Sequence, residues 1–83
     1  MIRARWEEVL DAAKRSRRAT WALVGPNAQP GAMRGDAFEV LFTSPGLVGA
    51  FERGGHSEVM GAALHQALGL TLSVHAALAG GPG

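Results

Sequence analysis

The first apolar pattern along the chain has the three- and four-residue spacing of an amphipathic helix. Its members are Ile2, Trp6, Val9, Leu10 and Ala13. This stripe predicts a helix from about Ile2 to Arg15 with its apolar face in the core. A second, shorter helix is predicted from Arg18 to Val24. The Gly25-Pro26 pair that follows is expected to end it, with the glycine in the left-handed conformation and the proline unable to continue the helix.

A strict alternation of apolar and polar residues then indicates a β-hairpin. We expect residues 27–31 to form a loop and Ala32 to Arg34 a short first strand. Because Pro30 limits the entry to this strand, it should lie at a sheet edge or begin late. Gly35-Asp36 fits a two-residue turn with positive φ at the glycine. The returning strand, residues 37–43, should bury one face and expose the other. The predicted buried face consists of Phe38, Val40 and Phe42.

Two more helices and a last strand follow the hairpin. Ser44 is a typical N-cap residue, so a short helix is predicted from Pro45 to about Glu52. Ser57 is expected to cap the next helix, which should end at Gly69. The alternation returns from Leu70 to Leu78 and predicts a third strand. Its predicted buried face is Leu72, Val74, Ala76 and Leu78.

The predicted order, α-α-β-β-α-α-β, corresponds to an α+β fold: a two-layer sandwich with a three-stranded sheet and the helices on one face. The pattern leaves the strand order open. Residues 1–79 are interpreted as a single interaction domain, and residues 80–83 as a flexible linker stub. The outward sheet face is predicted to be open and half apolar, which suits a docking site. Its candidate partner-binding residues are Glu39, Leu41, Thr43, Ser73 and His75.

Neither the composition of the chain nor its motifs indicate an enzyme. The 83 residues include no cysteine, and the three histidines lie in different predicted elements without the four-residue helical spacing of a zinc site. No G-x-S-x-G motif exposes a serine nucleophile. We therefore expect no catalytic residues, no metal and no cofactor. No apolar run reaches the length of a membrane span, so a cytoplasmic location without membrane contact is expected.

Charge is concentrated near the amino terminus, although the formal net charge is only +1. Lys14, Arg15, Arg17 and Arg18, here called the basic corner, lie together at a predicted helix end, where the helix dipole favours cations. The corner is either a solvated helix terminus or a contact for an acidic protein surface or for phosphates. Proteins rank above nucleic acid as partners, since no exposed aromatic residue is clearly interleaved with the cations for base stacking.

One motif in the sequence has a spacing known from nucleic-acid-binding domains. Gly46-Leu47-Val48-Gly49 has the G-x-x-G spacing of K homology domains. Its two middle residues are apolar, where a phosphate clamp would gain from lysine or arginine. Packing of Leu47 and Val48 in the core is therefore favoured over phosphate contact.

Many of these residues together resemble the C-terminal region of the tau/gamma subunits of bacterial DNA polymerase III, of the actinobacterial type. The resemblance covers roughly residues 3–74. The residues that carry it are Trp6, Val9-Leu10, Lys14 through Leu23, Asn27-Ala28-Gln29, Gly35-Asp36, Phe42, Gly54-Gly55 and Ala67-Leu68-Gly69. It implies a K homology-like fold at the end of a clamp-loader subunit, which tethers the polymerase alpha subunit or another replisome protein.

Two alternatives remain open at this point. The N-terminal domain of the replication initiator DnaA is similar in element order and would imply self-association and helicase contact. A minimal K homology module would imply binding of nucleic acid. The sequence by itself leaves the oligomeric state open.

Overall fold

The computed structural model describes residues 2–79, and across them the chain forms the predicted α+β fold. The predicted linker stub, residues 80–83, lies outside the described residues. A 3-10 turn at Arg3–Arg5 precedes the main elements. In chain order these are α1 (Trp6–Ser16), α2 (Arg18–Asn27), β1 (Ala28–Arg34), β2 (Ala37–Phe42), α3 (Pro45–Arg53), α4 (His56–Leu68) and β3 (Ser73–Leu78).

The sheet has the strand order β1-β2-β3, which the sequence pattern had left open. β1 pairs with β2 in antiparallel fashion through the hairpin, and β3 pairs with β2 in parallel fashion. Parallel neighbours need a long crossover connection, and here α3 and α4 provide it. β2 is therefore the central strand, and all its inward side chains meet the helices.

The inward face of β2 forms the centre of the core, as predicted. Phe38, Val40 and Phe42 are buried, and Phe42 packs against Phe51 of α3 with ring centroids 5.4 Å apart. Burying each large apolar side chain contributes about 1.5–3 kcal/mol relative to leaving it exposed. The alternation of β2 thus fixes which side of the sheet the helices cover.

The hairpin turn also follows the prediction. Gly35 has φ +58°, and Arg34 pairs directly with Ala37, so Gly35 and Asp36 are the two loop residues. A side chain at position 35 would be strained in this conformation. The turn glycine is therefore required by backbone geometry.

The predicted boundary between α2 and β1 is wrong. α2 continues through Gly25 and Pro26 to Asn27, and β1 begins directly at Ala28. Gly25 is not in the left-handed conformation. A residue before proline usually avoids the helical region because its Cβ meets the proline ring, and glycine has no Cβ. The Asn27 side chain donates a hydrogen bond of 3.0 Å to the Leu23 carbonyl, which satisfies part of the helix end.

β1 is longer than predicted because Pro30 lies on an edge strand. The missing N–H of a proline is tolerated there, since one side of the strand has no strand partner. Pro30 is buried opposite Val40, and the register is irregular between Pro30 and Met33. Of the two expectations drawn from Pro30, the edge position is confirmed and the late start is wrong, since β1 begins at Ala28.

Two further boundaries differ from the predictions. The N-cap of α4 is Gly55, with φ +72°, so Ser57 lies inside the helix. β3 begins at Ser73 rather than Leu70, because Ser73 pairs with Ala37, the first residue of β2. Leu78, predicted to be buried, is 46% exposed at the end of an edge strand.

Candidate functional site

The basic corner lies at the junction between α1 and α2. Arg17 has extended backbone angles, its N–H donates to the Ala13 carbonyl at 2.7 Å, and its own carbonyl accepts from Thr20 at 3.0 Å. One residue therefore ends α1 and begins α2. All four cationic side chains of the corner are exposed.

Arg17 differs from the other three cations because it is bound within the protein. Its Nη1 atom donates a hydrogen bond of 2.7 Å to the carbonyl oxygen of Gly54, at the C-terminal end of α3. This contact ties the corner to the turn between α3 and α4. Arg17 is thus part of the fold as well as part of the charged surface.

The contact predicts a stability difference between neighbouring arginines. Arg17→Ala should lower the free energy of unfolding by about 1 kcal/mol, because the Gly54 carbonyl loses a charged donor. Arg18→Ala should change it by less than about 0.5 kcal/mol, as is usual for exposed positions. Urea denaturation of both variants measures this, and equal stabilities would show that the Arg17 contact contributes nothing.

The remaining cations face solvent. The Lys14 Nζ atom lies 4.4 Å from the centroid of the Trp21 ring, a cation–π contact. Within residues 2–79, one ion pair forms, between the Arg5 Nη2 atom and the Glu8 Oε1 atom, which are 2.8 Å apart. Lys14, Arg15 and Arg18 have no carboxylate partner within that range. These three side chains are therefore available to bind an acidic group of another molecule.

Two clefts flank the basic corner, and sequence reasoning missed both. One lies between the end of α1 and the middle of α4, has a volume of about 520 Å³, and is lined by Arg15, Ser16, Ala62, His65 and Gln66. The other runs along α1 and α2 with a volume of about 410 Å³ and is lined by Glu7, Leu10, Trp21, Ala22, Gly25 and Pro26. We call the second one the Trp21 groove. Trp21 is half-buried, and its partly exposed ring forms one side of this groove.

The second group of predicted partner-binding residues lies on the open face of the sheet. Glu39 on β2 pairs with His75 on β3, and Leu41 lies over Gly31. Ser73 and His75 are exposed, whereas Glu39 and Leu41 are half-buried. Thr43 is exposed just beyond the end of β2. The structure places these residues together, on the face opposite the helices.

The basic corner and the sheet face do not form one surface. The corner belongs to the helical layer, while the outward residues of β2 and β3 point away from that layer. The two predicted groups are therefore separate candidate sites.

Both free edges of the sheet are protected against pairing with another strand. Pro30 and the register irregularity interrupt β1, and the Glu52 carboxylate of α3 accepts a hydrogen bond of 3.1 Å from the Ala76 N–H of β3. Prolines, bulges and charged side chains at edges are known devices against strand addition. Partner binding by strand addition is thus disfavoured.

A buried polar pair lies beneath the basic corner. The Nδ1 atom of His56 is 2.8 Å from the Thr20 hydroxyl, and the ring lies near Phe51. His56 is only 9% exposed and directly follows Gly55, the N-cap of α4. Because the pair is satisfied internally, we assign it to the fold.

Burial, reinforced by the positive charge of Arg17, lowers the pKa of His56 below its usual range. The unfolded chain takes up this proton near pH 6.5, whereas the folded protein resists it. Stability should therefore decrease as pH falls below about 6.5 toward the folded-state pKa. Between about pH 8 and pH 5, the urea midpoint should decrease less for His56→Gln than for the native chain. His75→Gln, on the exposed face, is the control, and parallel decreases in all three proteins would contradict this assignment.

The structure also bears on metal binding, on membrane crossing and on the G-x-x-G motif. Residues 2–79 contain no group of three or more histidine, aspartate or glutamate side chains placed to hold a metal ion. No helix in the same range has the length and apolar character needed to cross a membrane. Leu47 and Val48 of the G-x-x-G motif are half-buried in α3 and pack against the core. This is the placement favoured from their apolar character.

Comparisons with protein-family models, with curated proteins and with solved structures found no match to this chain. Function must therefore be argued from the sequence and from the site.

Proposed function

We propose that this chain is a non-enzymatic protein-interaction domain of a bacterial clamp-loader tau/gamma subunit of DNA polymerase III. In this role it tethers the polymerase alpha subunit or another replisome protein during DNA replication in the cytoplasm. The proposal rests on the sequence resemblance stated above. The structural observation that supports it is the basic corner, which offers cations without carboxylate partners among residues 2–79.

The corner suits a protein partner in its geometry. Lys14, Arg15 and Arg18 occupy one end of the helical layer and are flanked by two clefts. Complementary charge accelerates association and selects partners, while apolar contacts in a neighbouring cleft contribute most of the affinity. A cationic rim next to an apolar cleft provides both contributions.

A capture experiment tests the proposal. The chain is immobilised, and the purified polymerase alpha subunit of the same organism is offered in solution. The replicative helicase is offered separately as a second possible partner. We expect capture of the alpha subunit, decreasing as salt is raised because exposed charges are screened. Failure to capture the alpha subunit, or preferential capture of the helicase, would reject the clamp-loader assignment.

The charge of the corner is tested in the same assay. Arg15→Glu combined with Arg18→Glu should weaken capture by at least about tenfold, since each change replaces attraction with repulsion. Arg17 is left intact because of its contact with Gly54. The matched control is Arg34→Glu, a reversal of one exposed arginine at the hairpin turn. Equal loss in the control, or no loss in the double variant, would exclude the corner as the contact.

A further inference from the structure

The Trp21 groove combines an apolar floor with charged ends. Leu10 of α1 is buried at its base, and the half-buried Trp21 ring forms a wall. Gly25 has no side chain, and the space where its Cβ would lie is 3.6 Å from the indole Nε1 atom of Trp21. The missing side chain keeps the groove open beside the indole ring.

Residue spacing along the two helices explains how the charges are arranged. On α2, Arg18 precedes Trp21 and Ala22 by three and four residues, so it lies on the same side of the helix. On α1, Glu7, Leu10 and Lys14 follow the same spacing. Because α1 and α2 meet at Arg17, the cations Lys14 and Arg18 lie at one end of the groove. Glu7 lies toward the other end.

We infer that the Trp21 groove binds an acidic amphipathic helix of the partner protein. The apolar side chains of this partner helix lie against Trp21 and Leu10, and the carboxylates of the helix face Lys14 and Arg18. This inference rests on the proposed function and specifies the chemistry of the partner. A groove between two helices suits the recognition mode in which a third helix inserts residues spaced by three and four.

Size and charge favour this occupant over others. A volume of about 410 Å³ is near the lower end of ligand pockets, roughly 300–1,000 Å³, and accommodates a few side chains. Tryptophan is among the residues that most often dominate binding energy. Nucleic acid is less suitable because a phosphate backbone gains affinity from cations along its length, whereas this groove is lined mainly by apolar residues and has cations at one end.

The direct test uses two substitutions that are alike in chemistry and differ in place. Ala22 and Ala62 are both exposed alanines on helices, and each lines one of the two clefts beside the basic corner. Ala22→Glu places a carboxylate in the Trp21 groove, and Ala62→Glu places one in the cleft between α1 and α4. Both substitutions should preserve folding, because neither alanine is buried. Thermal unfolding of the two variants confirms this before binding is measured.

The probe is a synthetic helical peptide of about 15 residues with leucine at positions spaced by three and four and glutamate elsewhere. Two matched peptides carry lysine in place of glutamate, or alanine in place of leucine. Binding is followed by amide chemical shifts in NMR titrations. We expect the acidic leucine peptide to perturb α1 and α2 around Trp21, and both matched peptides to bind at least about tenfold more weakly.

The variants determine which cleft is used. Ala22→Glu should weaken binding of the acidic peptide by at least about tenfold, while Ala62→Glu should change it less than about twofold. The reverse order would overturn the inference in favour of the cleft between α1 and α4. Displacement of the peptide by single-stranded DNA at equal concentration would also overturn it, as would dimerisation of the chain through this groove.

This peptide assay is independent of the polymerase. If the peptide binds the groove and the polymerase alpha subunit is not captured, the clamp-loader assignment fails and the groove chemistry holds. If the alpha subunit is captured and Ala22→Glu has no effect on capture or on peptide binding, the clamp-loader assignment holds and the groove inference fails.

Discussion

Phe51→Ala is expected to remove about 3–5 kcal/mol from the free energy of unfolding, the usual range for a buried phenylalanine. Phe51 is fully buried on α3, its ring lies 5.4 Å from the ring of Phe42, and it also neighbours His56. Truncation loses the transfer free energy of the ring and leaves a cavity at the centre of the core. A chain of 83 residues has a total stability of roughly 4–12 kcal/mol. The expected loss is therefore at least about a quarter of the total stability.

Urea denaturation followed by circular dichroism measures this loss. The matched control is Met33→Ala, because Met33 is also a large apolar residue but is 51% exposed on the edge strand. Its loss should be below about 0.5 kcal/mol. If both variants lose similar stability, then the aromatic cluster is not the centre of the core. Phe51→Leu should fall between the two, since it retains most of the apolar volume.

Gly54→Ala is the second substitution with a large expected effect. A Cβ atom at position 54 would collide with the buried His56 ring, whose Cδ2 atom would be 2.6 Å away, and would lie 3.1 Å from the Ala50 carbonyl oxygen. His56 is held by its hydrogen bond to Thr20, so it cannot move without breaking that contact. We expect a loss of about 1–3 kcal/mol, typical of overpacked sites.

A second glycine provides the control for this substitution. Gly46 lies in the first turn of α3, and an added Cβ there would meet no atom within 4 Å. Gly46→Ala should therefore be neutral or stabilising by up to about 1 kcal/mol, because alanine restricts the unfolded chain and favours the helix. Thermal unfolding of the two variants gives the comparison. A stabilising effect of Gly54→Ala would mean that the turn between α3 and α4 has more room than the structure shows.

The two glycines also bear on function. Arg17 binds the carbonyl of Gly54, so a shift of this turn disturbs one cation of the basic corner. Gly46 belongs to the G-x-x-G motif, which lies within α3 with its middle residues toward the core. Capture of the proposed partner should therefore respond to position 54 and be insensitive to position 46.

Local patterns determined the elements and the buried face of the central strand. The alternation through Phe38, Val40 and Phe42, the turn at Gly35-Asp36 and the cap at Ser44 all depend on near neighbours in the chain. Each is therefore readable from a few residues, and the structure confirms each of them. The predicted starts of β1 and β3 failed because distant contacts decide them. β1 begins at Ala28 because Phe42 pairs with it.

The tertiary structure was also needed to show which side chains of the candidate site are available to a partner. The sequence grouped the four cations of the basic corner because they are adjacent in the chain. It could not distinguish Arg17, whose partner Gly54 is 37 residues away, from Arg18. Nor could it show that Trp21 stays half-buried beside a groove, since a helical stripe indicates which side of a helix faces inward but not how completely its neighbours cover it. Short-range spacing thus determined the elements of this protein, and long-range packing decided which of its charged and aromatic side chains remain available to a partner.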